Sequence, residues 1–121
     1  MTIGEVAEAA GVTASAIRFY ESAGVLPRPV RKNGIRDYEP AVVEQLRVLR
    51  FYRSTGVSID DLATMFSGDA RKRRENAHQI VLRRIAEIDD VIAEARSMKR
   101  RLRKLLDCDC NGDAKRCVIF K

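Results

Sequence analysis

Before position 108 this 121-residue chain has no cysteine at all. A disulfide framework is therefore excluded. In a reducing compartment, Cys108, Cys110 and Cys117 would act as free thiols or ligands, and their odd number argues against simple intrachain pairing. Histidine occurs once, as His78. No His/Asp/Ser constellation, glycine-rich phosphate loop or pair of catalytic acids is present, so nothing supports an enzyme. Prolines number three and glycines seven, beside 33% charged and 45% hydrophobic residues. That composition excludes a disordered or low-complexity chain. No apolar run approaches a membrane span and no signal-peptide pattern opens the chain, so a cytoplasmic protein without membrane association is expected.

Positive charge, by contrast, is abundant. Lys and Arg exceed Asp and Glu by 23 to 17, a net +6. Such a balance is compatible with nucleic acid or an anionic surface. Aromatic side chains cluster at Phe19-Tyr20, Tyr38 and Phe51-Tyr52, which places the compact core in the first half of the chain.

Turn and cap signals divide that first half. Thr2 followed by Glu5 has the form of a capping box opening a short helix with Ile3, Val6, Ala7 and Ala10 on its apolar side. Gly11 breaks it, and Thr13 caps a second helix carrying Ala16, Ile17 and Tyr20 inward. Two short helices around a glycine-containing turn form the helix-turn-helix pattern. Residues 27–38 are basic and contain Asn33-Gly34, a strong hairpin dipeptide, predicting a two-stranded wing. A third helix follows Glu39-Pro40 and stops near Gly56, with Val42, Val43, Leu46, Leu49 and Tyr52 inward. Ser58 caps a short fourth helix ending around Phe66.

Residues 70–106 contain neither Pro nor Gly. Val81, Ile85, Ile88, Ile92 and Ala95 recur at steps of four and three, and Met98, Leu102 and Leu105 resume the rhythm. This is a coiled-coil seam on a helix roughly 55 Å long at 1.5 Å per residue. A small head cannot cover so narrow and long a stripe, so a homodimer is expected.

A recognition helix must offer polar and basic side chains to base edges and phosphates while its other face holds the core. On the second helix Thr13, Ser15 and Arg18 lie on the side away from Ile17 and Tyr20, and the wing adds Arg31, Lys32 and Arg36. The tail concentrates three thiols in ten residues, which points to soft-metal ligation or to redox use.

The run Ile17-Arg18-Phe19-Tyr20-Glu21-Ser22-Ala23-Gly24-Val25-Leu26, then Asn33-Gly34-Ile35-Arg36-Asp37-Tyr38, resembles the MerR family of bacterial transcription regulators. The family pattern is close to I-R-Y-Y-E-x-x-G-L-L followed by N-G-Y-R-x-Y. Phe19 and Ile35 depart from it, each replacing a tyrosine. The resemblance implies an all-α protein with a winged helix-turn-helix head, a small β-wing, a long antiparallel coiled-coil dimerisation helix and a C-terminal cysteine loop. The corresponding division is 1–69 for the head, 70–106 for the dimerisation helix and 107–121 for the effector loop and tail. It further implies an activator that binds double-stranded promoter DNA at a pseudo-palindromic operator, acts with RNA polymerase, and responds to an effector by distorting the duplex. Bending and untwisting a site costs on the order of 1–6 kcal/mol. Thr13, Arg18, Tyr20, Arg31, Arg36 and Tyr38 match family DNA-contact positions.

In the metal-sensing branch the loop after the long helix supplies paired cysteines, and Cys108, Cys110 and Cys117 stand there. The resemblance therefore implies a soft metal ion (Zn, Cd, Hg, Pb or Cu(I)) as effector. Divalent sensors add a cysteine at the start of the partner's long helix, and copper-type members a small hydroxyl residue; here that position is Arg74. A fourth ligand would then be water, Asp109 or His78 of the other subunit. The redox branch holds an iron–sulfur cluster on four loop cysteines, and Cys108-Asp109-Cys110 with Cys117 matches its last three, so a redox sensor is the alternative.

Overall fold

The computed structural model describes residues 1–109, 112–113 and 115–117. Their order is α1 (Ile3–Ala10), α2 (Ala14–Ser22), β1 (Val30–Lys32), β2 (Ile35–Asp37), α3 (Ala41–Ser54), α4 (Ile59–Met65) and α5 (Ala70–Leu106). The chain divides into two compact units, Met1–Leu82 and Arg83–Lys121.

In the first unit each expected cap is formed. Glu5 N–H donates to Thr2 Oγ1 at 3.1 Å while Thr2 N–H donates to Glu5 Oε1 at 3.1 Å, closing the capping box of α1. Thr13 Oγ1 accepts from Ala16 N–H at 3.0 Å, and Ser58 Oγ from Asp61 N–H at 3.1 Å. Each satisfies an amide that the helix itself leaves without a partner. Gly11 ends α1 at φ +69°, and a Cβ there would stand 2.7 Å from Arg50 Nη1. That guanidinium comes from α3 and donates to Ala10 O at 3.0 Å, so a cation covers the last carbonyls of α1.

Val6, Ala10, Ile17, Val25, Leu26, Val42, Val43, Leu46, Leu49, Val57, Leu62 and Met65 form one core where α1 packs on α2 and α3, and α4 packs on α3. Ala77 and Ile80 of α5 close it, which is why the first unit takes in the opening turns of the long helix. The hairpin turns at Asn33 (φ +52°) and Gly34 (φ +78°), the conformation that a two-residue loop of matching twist requires. It pairs Val30 with Asp37, Arg31 with Arg36 and Lys32 with Ile35.

The aromatic clusters do not enter the core as whole units. Tyr38 is buried and Tyr20 and Tyr52 are half-buried, whereas Phe19 and Phe51 are exposed. Successive helical residues point about 100° apart, so a pair such as Phe19-Tyr20 cannot face one side.

In the second unit α5 continues without a break to Leu106. Its apolar seam lies uncovered in a single chain: Ile85, Ile88, Ile92, Met98, Leu102 and Leu105 are all exposed. Among the described residues no helix is long and apolar enough to cross a membrane.

Candidate nucleic-acid interface and cysteine loop

The inner face of α2 is set by Ile17 and Tyr20, and this turns Ser15 and Arg18 outward, both exposed. Thr13 is exposed at the helix start, with its hydroxyl engaged as the cap. Tyr20 is half-buried against the core. On the wing, Arg31 and Lys32 are exposed; Arg31 Nη1 donates to Gly34 O at 3.1 Å, and Lys32 Nζ lies 3.4 Å from Asp37 Oδ2. Both bonds stiffen the hairpin while leaving most of the donors outward.

Arg36 and Tyr38 differ from the rest of the sequence-predicted set. Tyr38 is 2% exposed, and its hydroxyl donates to Glu21 Oε1 at 2.6 Å. Arg36 Nη1 donates to Glu21 Oε2 at 2.9 Å and to Tyr38 Oη at 3.1 Å. Burial, and then the bond to Glu21, pushes the Tyr38 phenol above its ordinary pKa. Tyr38 is thus a core side chain whose hydroxyl is engaged by Glu21 and Arg36. Arg36 is half-buried beside it and reaches the surface between α2 and the wing.

A cleft of about 300 Å³ opens between α2 and the wing, lined by Arg18, Glu21, Ser22, Arg28, Arg31 and Arg36. Arg28 was not among the sequence-predicted contacts. Proline stands on both sides of it, and its position between α2 and β1 becomes a cleft wall only once the wing folds back. Among the described residues Arg18 and Arg28 have no hydrogen-bond or ion-pair partner, so the cleft holds guanidinium groups with unspent donors. Planar guanidinium donors suit phosphate oxygens and guanine edges.

Glu21, missed as a functional residue, carried a legible signal: it stands four residues after Ile17, on the buried face of α2.

After α5 the chain turns at Cys108, whose N–H donates to Leu105 O at 3.3 Å. Cys108 is half-buried and Cys117 is buried. Cys110 lies outside the described residues. Among the described residues no three metal-ligating side chains come together. Arg74 and His78, on the opening turns of α5, are exposed.

Family models and individual relatives agree with this arrangement. Residues 1–69 match the model described as MerR HTH family regulatory protein, and residues 43–105 match MerR, DNA binding. The chain is 35% identical to the HTH-type transcriptional regulator CueR of Salmonella typhimurium, over 99% of this chain and 89% of the relative. It is 32% identical to ZntR of Escherichia coli K12, over 89% and 79%. The crystal structure of PbrR691 from Ralstonia metallidurans CH34 in complex with lead(II) superposes with a TM-score of 0.73 at 28% identity, covering 99% of this chain and 96% of that one. A helix-turn-helix with a basic wing, followed by a long uncovered helix and a cysteine-bearing loop, accordingly places this chain in the MerR family of DNA-binding transcription regulators, which are not enzymes.

Proposed function

We propose that the chain works as a cytoplasmic homodimer on double-stranded promoter DNA and reports a soft metal ion, with a head at 1–69, a dimerisation helix at 70–106 and an effector loop at 107–121. Ser15, Arg18, Arg28, Arg31 and Lys32 face the duplex, with Thr13 and Tyr20 at the margin of that surface. Arg36 and Tyr38 act from behind it. Two heads related by the dimer axis demand a pseudo-palindromic operator. The single observation that carries this reading is the cleft between recognition helix and wing, where Arg18 and Arg28 are exposed with no protein partner among the described residues.

The relatives bring a metal ion forward as effector, PbrR691 having been crystallised with lead(II). Cys108, Cys110 and Cys117 would hold such an ion. Thiolate sulfur is a soft donor and suits soft cations over Mg or Ca. A fourth donor from water, Asp109 or the second copy's His78 would complete a four-coordinate site.

Salt dependence of DNA binding tests the interface. If Arg18, Arg28 and Arg31 of both subunits each neutralise one phosphate, six contacts give a slope of log K against log salt of about −5. Affinity then falls roughly a thousandfold between 50 and 200 mM salt. A slope near zero would remove the proposed surface. Metal and sulfide analysis of anaerobically purified protein tests the effector: thiolate-bound metal supports the reading, whereas stoichiometric sulfide would replace it with an iron–sulfur sensor.

A further inference from the structure

Glu21 is 7% exposed, the only charged side chain buried among the described residues of the head. A carboxylate taken out of water needs hydrogen-bond donors to offset its lost hydration. Here it has two, and both come from the wing's returning strand and the residue after it. Tyr38 Oη donates to Oε1 at 2.6 Å and Arg36 Nη1 to Oε2 at 2.9 Å, while the same Arg36 nitrogen donates to Tyr38 Oη at 3.1 Å. The three groups close a triangle, so the position of each is fixed by the other two. Elsewhere in the head, elements are joined by packing of α1 on α2, α1 on α3, α3 on α4 and β1 on β2. No packing of that extent joins α2 to either wing strand. The polar triangle is therefore a direct side-chain tie between the recognition helix and the hairpin, beside the Met1 amine's bonds to Asp37 Oδ1 at 3.1 Å and Tyr38 O at 2.9 Å that anchor the returning strand to the N-terminus, and it forms part of the wall of the cleft that carries Arg18, Arg28 and Arg31.

We infer that Glu21 is a positioning residue for DNA recognition. Through Arg36 and Tyr38 it holds the wing at a set angle to α2, so that helix and wing meet the duplex as one rigid two-point reader, and Arg36 acts through this tie rather than on DNA. The inference rests on the DNA-binding reading above. It differs from a direct role for Arg36 in one respect. If Arg36 works only through Glu21, removing either partner frees the wing from α2, and removing both frees it no further.

The test uses the full chain and a duplex enriched by the parent protein from a random library. Glu21→Gln, Arg36→Met and the double variant are compared by affinity and by phosphate-ethylation interference. Each single variant should weaken binding roughly ten- to a hundredfold. The double should be no weaker than the worse single within about threefold. Interference should vanish at the wing phosphates and persist at those beside α2. Losses that multiply in the double variant would put Arg36 on the DNA and overturn the proposal. So would parental affinity in Glu21→Gln, or a loss spread evenly over helix and wing phosphates. Should Glu21→Gln not fold, Tyr38→Phe removes two of the triangle's three bonds, leaving only Arg36 on Glu21, and should show the same wing-selective loss in milder form; an unaltered pattern in that variant counts against the tie. If the parent enriches no duplex, the DNA-binding reading fails first, before any variant is compared.

Discussion

The dimer seam yields a prediction whose size follows from the exposure of its side chains. Ile85 is 51% exposed in the single chain, so a partner helix can cover at most half of it. Fully burying an isoleucine is worth about 2–3 kcal/mol, which makes the partner's share about 1–1.5 kcal/mol. Two-fold symmetry doubles any substitution. Ile85→Ala therefore removes about 2–3 kcal/mol per dimer and raises the dimer dissociation constant roughly 30- to 150-fold. Sedimentation equilibrium over a range of protein concentrations measures that constant, with circular dichroism confirming that helix content is retained. Glu94→Ala, an exposed change off the seam, should shift it less than about twofold. A constant for Ile85→Ala within about threefold of the parent's would refute the reasoning, because the seam would then not be what the second copy covers. A parent that sediments as a monomer would do so more directly.

Arg18→Ala should abolish binding to a selected duplex while leaving the dimer intact, since the guanidinium has no protein partner among the described residues; unchanged affinity by gel shift would remove α2 from the interface. Cys110→Ser should leave duplex binding as it is but eliminate the metal response in a promoter-reporter assay, and a normal response would take Cys110 out of the effector site. Tyr38 should impart an alkaline weakness to the head. Its folded-state pKa is raised above the ordinary value of 10.0, so the stability it contributes is full below that pH and is lost as pH rises through the folded value. The melting-temperature advantage of the parent over Tyr38→Phe should accordingly shrink above about pH 10, and an advantage constant through the alkaline range would contradict the assigned buried phenol.

Local order was legible wherever a nearest-neighbour rule governs it. Thr2, Thr13 and Ser58 announced helix starts because a hydroxyl can reach an amide three residues on regardless of the rest of the fold. Asn33-Gly34 announced the hairpin because both positions demand positive φ. The seam of α5 was visible because periodicity alone states which residues share a face. The division of labour among the basic and aromatic residues was not visible in this way. Arg31 and Arg36 both stand on the wing, yet one faces outward and the other is spent on Glu21. Tyr38 matched a contact position of the family and proved to be core.

The sequence by itself determined the family, the order of helices and wing, and the existence of an unpartnered apolar stripe and a thiol-rich tail. Each follows from residue types at short spacing. Only the tertiary structure decided which arginines are available to a phosphate, because that depends on where the wing folds relative to α2. A buried carboxylate, fifteen residues from Arg36 and seventeen from Tyr38 in the chain, engages both of them at the cleft wall, while Arg18 and Arg28 keep their donors open to the cleft. Leaving Glu21 buried without donors would cost on the order of 3–5 kcal/mol, so the bonding of the wing to the recognition helix is favoured by a contact that no local pattern contains.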